Sequence, residues 1–165
     1  MVVYGIDDVR PASWPIEGLP PGDDGQIPNF VIGTDAERNE ILFWGNAMVG
    51  PGGSAKIYRF KPAAHAEARL VTHIQFPKGV LPVELKLSPR GDLLAWYSED
   101  FDENRQRVQC RVYVSDLTGA HQRLIGVTPY VRYFEALTDL QWKPDGKALS
   151  FFYKDRLWTV SASSR

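Results

Sequence analysis

The chain has 165 residues, 44% of them hydrophobic and 24% charged, and its 19 basic and 20 acidic side chains give a formal net charge of −1. These values are typical of one globular domain and exclude global disorder. The balanced charge argues against a nucleic-acid partner, which requires a basic patch, and the single cysteine, Cys110, excludes an internal disulfide framework and a thiolate zinc site.

The N-terminal residues do not have the pattern of a secretory signal peptide, and a chain trimmed of a leader would look the same. Residues 1–8 lack a basic region followed by an apolar run, so no signal peptide is predicted. No apolar stretch approaches the roughly 20 residues that span a bilayer. We therefore expect a cytoplasmic protein, and peripheral association with a membrane complex stays open. Residues 10–26 are rich in Pro, Gly and Asp, which predicts an irregular arm over residues 1–27 and a β-repeat domain over residues 28–165.

A two-strand pattern occurs twice in the second half of the chain. Residues 85–97 align with residues 140–152, and Pro89 and Pro144 lie 55 residues apart. Each copy has an alternating apolar strand, a Pro-x-Gly turn and a strand of aliphatic and aromatic residues. Proline sets φ at the first turn position and glycine supplies the positive φ of a tight reversal. The period-two spacing favours strands over long helices.

A third copy lies upstream, with strands expected at residues 30–33 and 40–45. Third strands, each with an aliphatic residue before an aromatic one, are expected at residues 57–60, 112–115 and 157–160. Fourth strands are expected at residues 69–74 and 122–126. The sequence thus predicts three four-stranded antiparallel units, over residues 28–76, 83–127 and 136–165. Little chain follows residue 160, so residues 2–5 are the candidate for the fourth strand of the last unit.

The repeat resembles the blades of TolB-like β-propellers and, more broadly, WD-repeat-like blades. Residues 88–92 (Ser-Pro-Arg-Gly-Asp) and 112–119 (Val-Tyr-Val-Ser-Asp-Leu-Thr-Gly) carry the resemblance, and residues 143–147 repeat the turn. The resemblance spans about residues 30–160 and implies an all-β fold of propeller-blade-like units. It implies no single function, because such propellers act as scaffolds, peptidase gates and interaction modules.

The number of units differs from that of complete propellers, which close with 4–8 blades. Three sheets would leave two open ends that favour association. We expect an incomplete propeller whose ends are covered by a second copy, in a six-bladed ring, or by a different protein. An open sandwich or barrel is the alternative.

Two segments superficially resemble ligand-binding loops. Residues 50–57 have the glycines and lysine of a phosphate-binding loop, but Ala55 and Ile57 flank the lysine where Gly and Ser or Thr are required, so a strand-to-strand loop is predicted. Residues 100–104 have alternating carboxylates, but Arg105 and Arg111 stand where an EF-hand needs Gly and Glu. We predict a solvated hairpin tip, and a looser calcium loop stays open.

No residue pattern of an enzyme is present. His65, His73 and His121 are far apart in sequence, no Gly-x-Ser-x-Gly motif occurs, and Cys110 lies in a predicted strand, where it is expected to be buried. We predict a non-catalytic protein with no cofactor and no metal. The alternative is a ligand-binding or hydrolytic propeller-type domain, whose carboxylates would be Asp100, Asp102, Asp139 and Asp145.

The aromatic residues divide into two groups. Those that recur at matched positions predict packing between the repeat units: Trp44, Trp96, Phe151, Tyr58, Tyr113 and Trp158. Those that break the repeat are candidates for binding a partner, together with one arginine between them: Trp14, Tyr130, Arg132, Tyr133 and Phe134. Burial of this second group under a neighbouring loop is the alternative.

The sequence favours a non-catalytic interaction or assembly protein. It would be an extrinsic structural subunit that stabilises a larger complex, or a propeller-like module that associates with itself. A sensor domain of a longer chain is a further alternative. The sequence does not identify the partner protein.

Overall fold

The computed structural model describes residues 2–3, 12–13, 16–17, 30–35, 38–45, 54–62, 66–77, 80 and 82–163. Within them the one helical element is the 3-10 helix η1 at Tyr133–Glu135, and no helix is long and apolar enough to cross a bilayer. The strands are, in chain order, β1 (Val2–Val3), β2 (Ala12–Ser13), β3 (Ile16–Glu17), β4 (Phe30–Asp35), β5 (Glu40–Gly45), β6 (Ser54–Phe60), β7 (Ala66–Glu67), β8 (Arg69–Gln75), β9 (Pro82–Leu87), β10 (Leu93–Phe101), β11 (Arg107–Asp116), β12 (Arg123–Val127), β13 (Val131–Arg132), β14 (Thr138–Trp142), β15 (Ala148–Tyr153) and β16 (Arg156–Ser161).

Three antiparallel sheets contain most of the strands, and each corresponds to one predicted repeat. The first has the order β4-β5-β6-β8 and the second the order β9-β10-β11-β12, with β13 added on β11. The third contains β14-β15-β16. The predicted all-β architecture of three repeated sheets is confirmed.

The prediction that residues 2–5 complete the third sheet is wrong for Val2 and Val3, and residues 4 and 5 lie outside the described residues. Val2–Val3 pairs with Ala12–Ser13 in a small two-stranded sheet, and not with the third sheet. A partner about ten residues away closes a far shorter loop than one near the other end of the chain, so the entropic cost of pairing is lower. In addition, β3 pairs in parallel with β7.

The two Pro-x-Gly turns have the same geometry. Gly91 N–H donates to the Ser88 carbonyl and Gly146 N–H to the Lys143 carbonyl, each at 2.9 Å, with glycine φ values of +73° and +68°. In the first turn the Ser88 hydroxyl also accepts hydrogen bonds from the N–H groups of Asp92 and Leu93. The predicted repeat of this turn is confirmed.

The second sheet is packed on both faces, because side chains alternate along its strands. Leu94 and Trp96 of β10 pack against the first sheet, in a core that also includes Ile57 and Ile74. Ala95 and Tyr97 face the opposite way, into a second core shared with the third sheet. The three sheets therefore form three stacked layers, not a two-layer sandwich.

The strands also have a consistent order across the stack. The first strands adjoin, since Trp142 Nε1 of β14 donates to the Lys86 carbonyl of β9 at 3.1 Å, and Gly33 of β4 packs against Leu87 of β9. The ends of the fourth strands of the first two sheets are linked by Gln122, whose side-chain amide donates to the Gln75 carbonyl at 2.8 Å.

An aromatic pair occupies the same cross-strand position in each sheet. Register places Phe43 opposite Tyr58, Trp96 opposite Tyr113, and Phe151 opposite Trp158. The matching of Trp44 with Trp96 and Phe151 is therefore wrong by one residue, because Phe43 occupies the equivalent position. Trp96 and Phe151 lie in the cores between sheets, which confirms the predicted packing for them.

Candidate interaction site

The partner-binding residues predicted after β12 lie on the surface. Val131 is buried and pairs with Val108, which ties β13 to β11. Outside this anchor, Tyr130, Tyr133 and Phe134 expose 44%, 62% and 77% of their surface, and Arg132 is exposed as well. The alternative, burial under a neighbouring loop, does not hold for these four residues. Trp14, the fifth predicted residue, lies outside the described residues.

A fifth residue, Phe101 at the end of β10, belongs to the same surface cluster. The sequence interpretation missed it. Its ring stacks on Tyr133 with a centroid distance of 6.1 Å, and the Arg132 guanidinium lies 6.0 Å from the Phe134 ring centroid. The pairing of Phe101 with Val108, next to Val131, brings it to the cluster. A hydrophobic residue at the predicted hairpin tip was the signal that could have identified it. We call Phe101, Tyr130, Arg132, Tyr133 and Phe134 the aromatic patch.

Beside β13, Cys110 is a structural residue. It is fully buried and free, and burial raises the pKa of its thiol to about 11, so it is not a nucleophile at neutral pH. Its backbone N–H donates to Thr128 Oγ1 and the Thr128 N–H donates to the Cys110 carbonyl, both at 2.9 Å. The predicted burial of Cys110 is confirmed. Opposite it, Glu99 is half-buried, and burial raises the pKa of its carboxyl.

The four carboxylates considered for a ligand site are not described as contacting one another, and the partners of three of them are different residues. Asp100 pairs with Arg111 at 3.0 Å, and Asp102 accepts hydrogen bonds from the N–H groups of Gln106 and Arg107 at the hairpin tip. Asp145 accepts from Lys147 N–H within its own turn, and Asp139 is exposed at an irregularity of β14. Among the described residues, no three His, Cys, Asp or Glu side chains are grouped so as to hold a metal ion.

The two superficial loop motifs have structural roles where they are described. Residues 102–107 form the tip of the β10–β11 hairpin, with Arg105 N–H donating to the Asp102 carbonyl. The predicted tip over residues 100–104 is therefore confirmed from Asp102 onward, whereas Asp100 and Phe101 still belong to β10. Lys56 lies within β6, so it is part of a strand and does not precede a helix N-terminus. Residues 50–53 lie outside the described residues.

The third sheet exposes apolar residues that are buried at the equivalent positions of the other sheets. Leu157 is 64% exposed, whereas its equivalents Ile57 and Val112 are 0% and 1% exposed. Phe152, opposite Leu157, is 46% exposed, whereas its equivalent Tyr97 is buried. Polar residues share this side of the sheet with Phe152 and Leu157. We call the set the outer face: Thr138, Gln141, Ser150, Phe152, Leu157 and Thr159.

Comparisons of the chain with protein-family models, with curated proteins and with solved structures gave no match.

Proposed function

We propose that this chain is a non-catalytic interaction module, an extrinsic structural subunit that docks the outer face of its third sheet on a further β-sheet of a larger complex. The observation that carries the proposal is the exposure of Leu157 at a position where the first two sheets bury Ile57 and Val112 almost completely. A side chain of this type contributes about 1.5–3 kcal/mol when it is buried.

The composition of the outer face supports docking. Phe152 and Leu157 form an apolar centre, and the other residues of the outer face as defined above are uncharged and polar. An apolar centre with a polar rim is typical of protein interfaces. The middle sheet provides an internal precedent, because its equivalent face is covered by the third sheet. A covering sheet of a partner would extend the same layered packing by one layer.

Stacked sheets with adjoining first strands are compatible with propeller-blade-like units of the TolB-like kind. In this interpretation the chain supplies three blades and its partner supplies the next one. The aromatic patch is a second contact surface, since exposed Tyr, Phe and Arg side chains are enriched at interfaces. A protein partner is favoured over nucleic acid by the net charge of −1. The proposed location of the chain is the cytoplasm, where it could also bind at the periphery of a membrane complex.

The test is recovery of the native complex with a tagged chain under gentle conditions. We expect Leu157→Lys and Phe152→Lys to abolish co-purification of the partner, because each places a charge at the centre of the outer face. Leu70→Lys is the matched control, since Leu70 is similarly exposed, at 57%, but lies on β8 of the first sheet.

Circular dichroism and thermal unfolding of the three variants establish that each is folded. Size-exclusion chromatography with light scattering then gives the mass of the isolated chain, and association with itself would be lost in the same two variants. A stable monomer that also recovers no specific partner, or equal recovery by all variants, would contradict the proposal.

A further inference from the structure

Two arginines lie directly opposite each other where β13 pairs with β11. The register places Arg107 opposite Arg132, and both side chains are exposed. The neighbouring register pair, Val108 and Val131, is buried on the other face of the sheet. Residues that are directly opposite in an antiparallel pair share one face, with Cβ atoms about 4.5–5.5 Å apart, and like charges in this arrangement repel. We call Arg107 and Arg132 the arginine pair.

Neither guanidinium of the arginine pair forms an ion pair with a described residue. Another arginine on the same face of β11 does. Arg111 pairs with Asp100 of β10 at 3.0 Å. The sheet therefore neutralises Arg111 with its own carboxylate, whereas the two arginines at the end of β11 repel each other without one.

The other acidic side chains around the arginine pair are bonded to backbone groups. Asp102 accepts hydrogen bonds from two backbone N–H groups of the hairpin tip, and Glu135 accepts one from the Arg132 N–H at 3.4 Å. At the tip itself, Glu103 and Arg105 are both exposed and cancel in formal charge. The carboxylates of Asp102 and Glu135 are thus held at the backbone and not at the guanidinium groups of the pair.

An exposed aromatic ring lies beside the arginine pair. The Arg132 guanidinium is 6.0 Å from the ring centroid of Phe134, which at 77% is the most exposed of the large hydrophobic residues described. The stacked rings of Tyr133 and Phe101 are not part of this group, because Phe101 is opposite Val108 and so belongs to the other face of the sheet. The arginine pair and Phe134 therefore place two cations and one apolar ring close together.

This combination fits an acidic segment of a protein. A guanidinium donates two parallel hydrogen bonds to a carboxylate, and clusters of arginines are a recurring means of binding acidic segments. A carboxylate on each arginine also offsets the repulsion between them, so the bound state gains free energy that the free chain lacks. An apolar side chain of the same segment is removed from water when it packs on Phe134.

We propose that the arginine pair and Phe134 bind an acidic segment of the partner protein, with carboxylates on Arg107 and Arg132 and an apolar side chain on Phe134. The juxtaposition that carries this inference is the direct opposition of two exposed arginines that lack an ion pair, next to an exposed phenylalanine. The inference rests on the proposed function for the role of the aromatic patch as a contact surface, and it adds the chemistry of the segment that this surface takes.

The test uses the full chain and three synthetic peptides. The probe is Glu-Ser-Glu-Ser-Leu, because alternate side chains of an extended chain point the same way. Gln-Ser-Gln-Ser-Leu lacks its charges and Glu-Ser-Glu-Ser-Gly lacks its apolar side chain. In NMR titrations we expect the probe to shift the amide signals of residues 107 and 131–134. The uncharged peptide should bind about three- to tenfold more weakly, the glycine peptide should also bind more weakly, and added salt should weaken the binding of the probe.

Variants of the chain separate binding from folding. Arg107→Glu replaces the repulsion with an attraction to Arg132, so it should raise the midpoint of thermal unfolding by about 1–4 °C and yet lose most of the peptide binding. A variant that is more stable than wild type has not lost binding through misfolding. Arg90→Glu, at the exposed turn before β10, changes the net charge equally at the opposite end of the strand and should leave binding unchanged. Phe134→Ala should weaken binding with little effect on stability, since the ring is exposed.

Three results would overturn the proposal: equal binding of the acidic and uncharged peptides, equal binding of the probe by Arg107→Glu and wild type, or tighter binding of a single-stranded deoxythymidine oligonucleotide at the same residues, which would assign the surface to nucleic acid.

Leu157→Lys distinguishes this inference from the proposed function, because it alters the outer face of the third sheet and should leave peptide binding unchanged. Absence of peptide binding, with the native partner lost in Leu157→Lys, would overturn this inference alone. Peptide binding at the arginine pair, with full recovery of the native partner by Leu157→Lys, would overturn docking through the outer face alone.

Discussion

Trp96 and Tyr113 stack across β10 and β11, with ring centroids 4.1 Å apart and ring planes within 10° of each other. Trp96 is fully buried and also contacts Phe76 edge-on, with a centroid distance of 5.0 Å. The stacked pair therefore forms much of the packing between the first two sheets.

Replacement of Trp96 should destabilise the chain severely. We expect Trp96→Ala to lower the free energy of unfolding by about 3–5 kcal/mol, because it leaves a large cavity between two sheets. Trp158→Ala is the matched control at the equivalent strand pairing in the third sheet, where the ring is half-exposed, and its cost should be clearly smaller. Urea unfolding followed by circular dichroism measures both. Equal costs would contradict the assignment of Trp96 to the inter-sheet core.

Gly119 and Gly146 offer a comparison of backbone strain with steric contact. Both have positive φ, of +75° and +68°, so alanine at either should cost about 1 kcal/mol. A Cβ at Gly119 would also lie 2.6 Å from Ile74 Cγ2 in the first sheet, whereas one at Gly146 would meet Pro89 Cδ at 3.8 Å. Gly119→Ala should therefore cost about 1–3 kcal/mol more. Chemical denaturation gives the difference, and similar values would argue against close approach of the two sheets.

The reciprocal hydrogen bonds between Cys110 and Thr128 stabilise the chain just before β13. Thr128→Val should cost about 1–3 kcal/mol, because it leaves the buried Cys110 N–H without its acceptor. Thr128→Ser keeps the hydroxyl and should retain most of the stability. Thermal and chemical unfolding of the pair distinguish loss of the hydrogen bond from loss of the methyl group. A valine variant as stable as wild type would show that this N–H finds another acceptor.

Glu99 should make stability depend on pH. Burial raises the pKa of its carboxyl in the folded state above the unfolded value. Its contribution to stability is therefore fully present below the unfolded pKa and is lost as pH rises through the folded pKa. Glu99→Gln should be more stable than wild type at neutral pH, and the gain should disappear in acid.

Urea unfolding across a pH series measures this difference. Glu103→Gln, at the exposed hairpin tip, controls for the loss of one negative charge. A stability gain for Glu99→Gln that is independent of pH would show that ionisation of Glu99 is not its cause.

Local patterns allowed most of the repeat to be predicted. The alternating strands and the Pro-x-Gly turns are short-range features, so the strands over residues 40–45 and 69–74 and the turns at Gly91 and Gly146 could be placed from sequence. The one-residue error at Trp44 arose because the first unit lacks that turn, which left no fixed point from which to count. Register across strands corrected it, with Phe43 opposite Tyr58.

Long-range relationships could not be predicted in the same way. The contact of Phe101 with Tyr133 depends on the pairing of β13 with β11, which no local pattern indicates. Val112 is buried because the third sheet covers its face of the second sheet, whereas Leu157 lies on the opposite face of the third sheet and is exposed. The surface position of Tyr133 and Phe134 was one of two alternatives, and only the structure distinguishes them.

The orientation of the aromatic pairs gives the stack a polarity. In the second and third sheets the pair points back toward the preceding sheet, and in the first sheet the equivalent residues Phe43 and Tyr58 are already shielded from solvent, at 1% and 6% exposure. On the same face of the first sheet, however, Val31, opposite Phe43, and Leu70, opposite Tyr58, are 46% and 57% exposed, so both ends of the stack carry exposed apolar side chains. Two copies joined through the outer face of the third sheet would be related by a twofold axis, because each would present the same surface to the other.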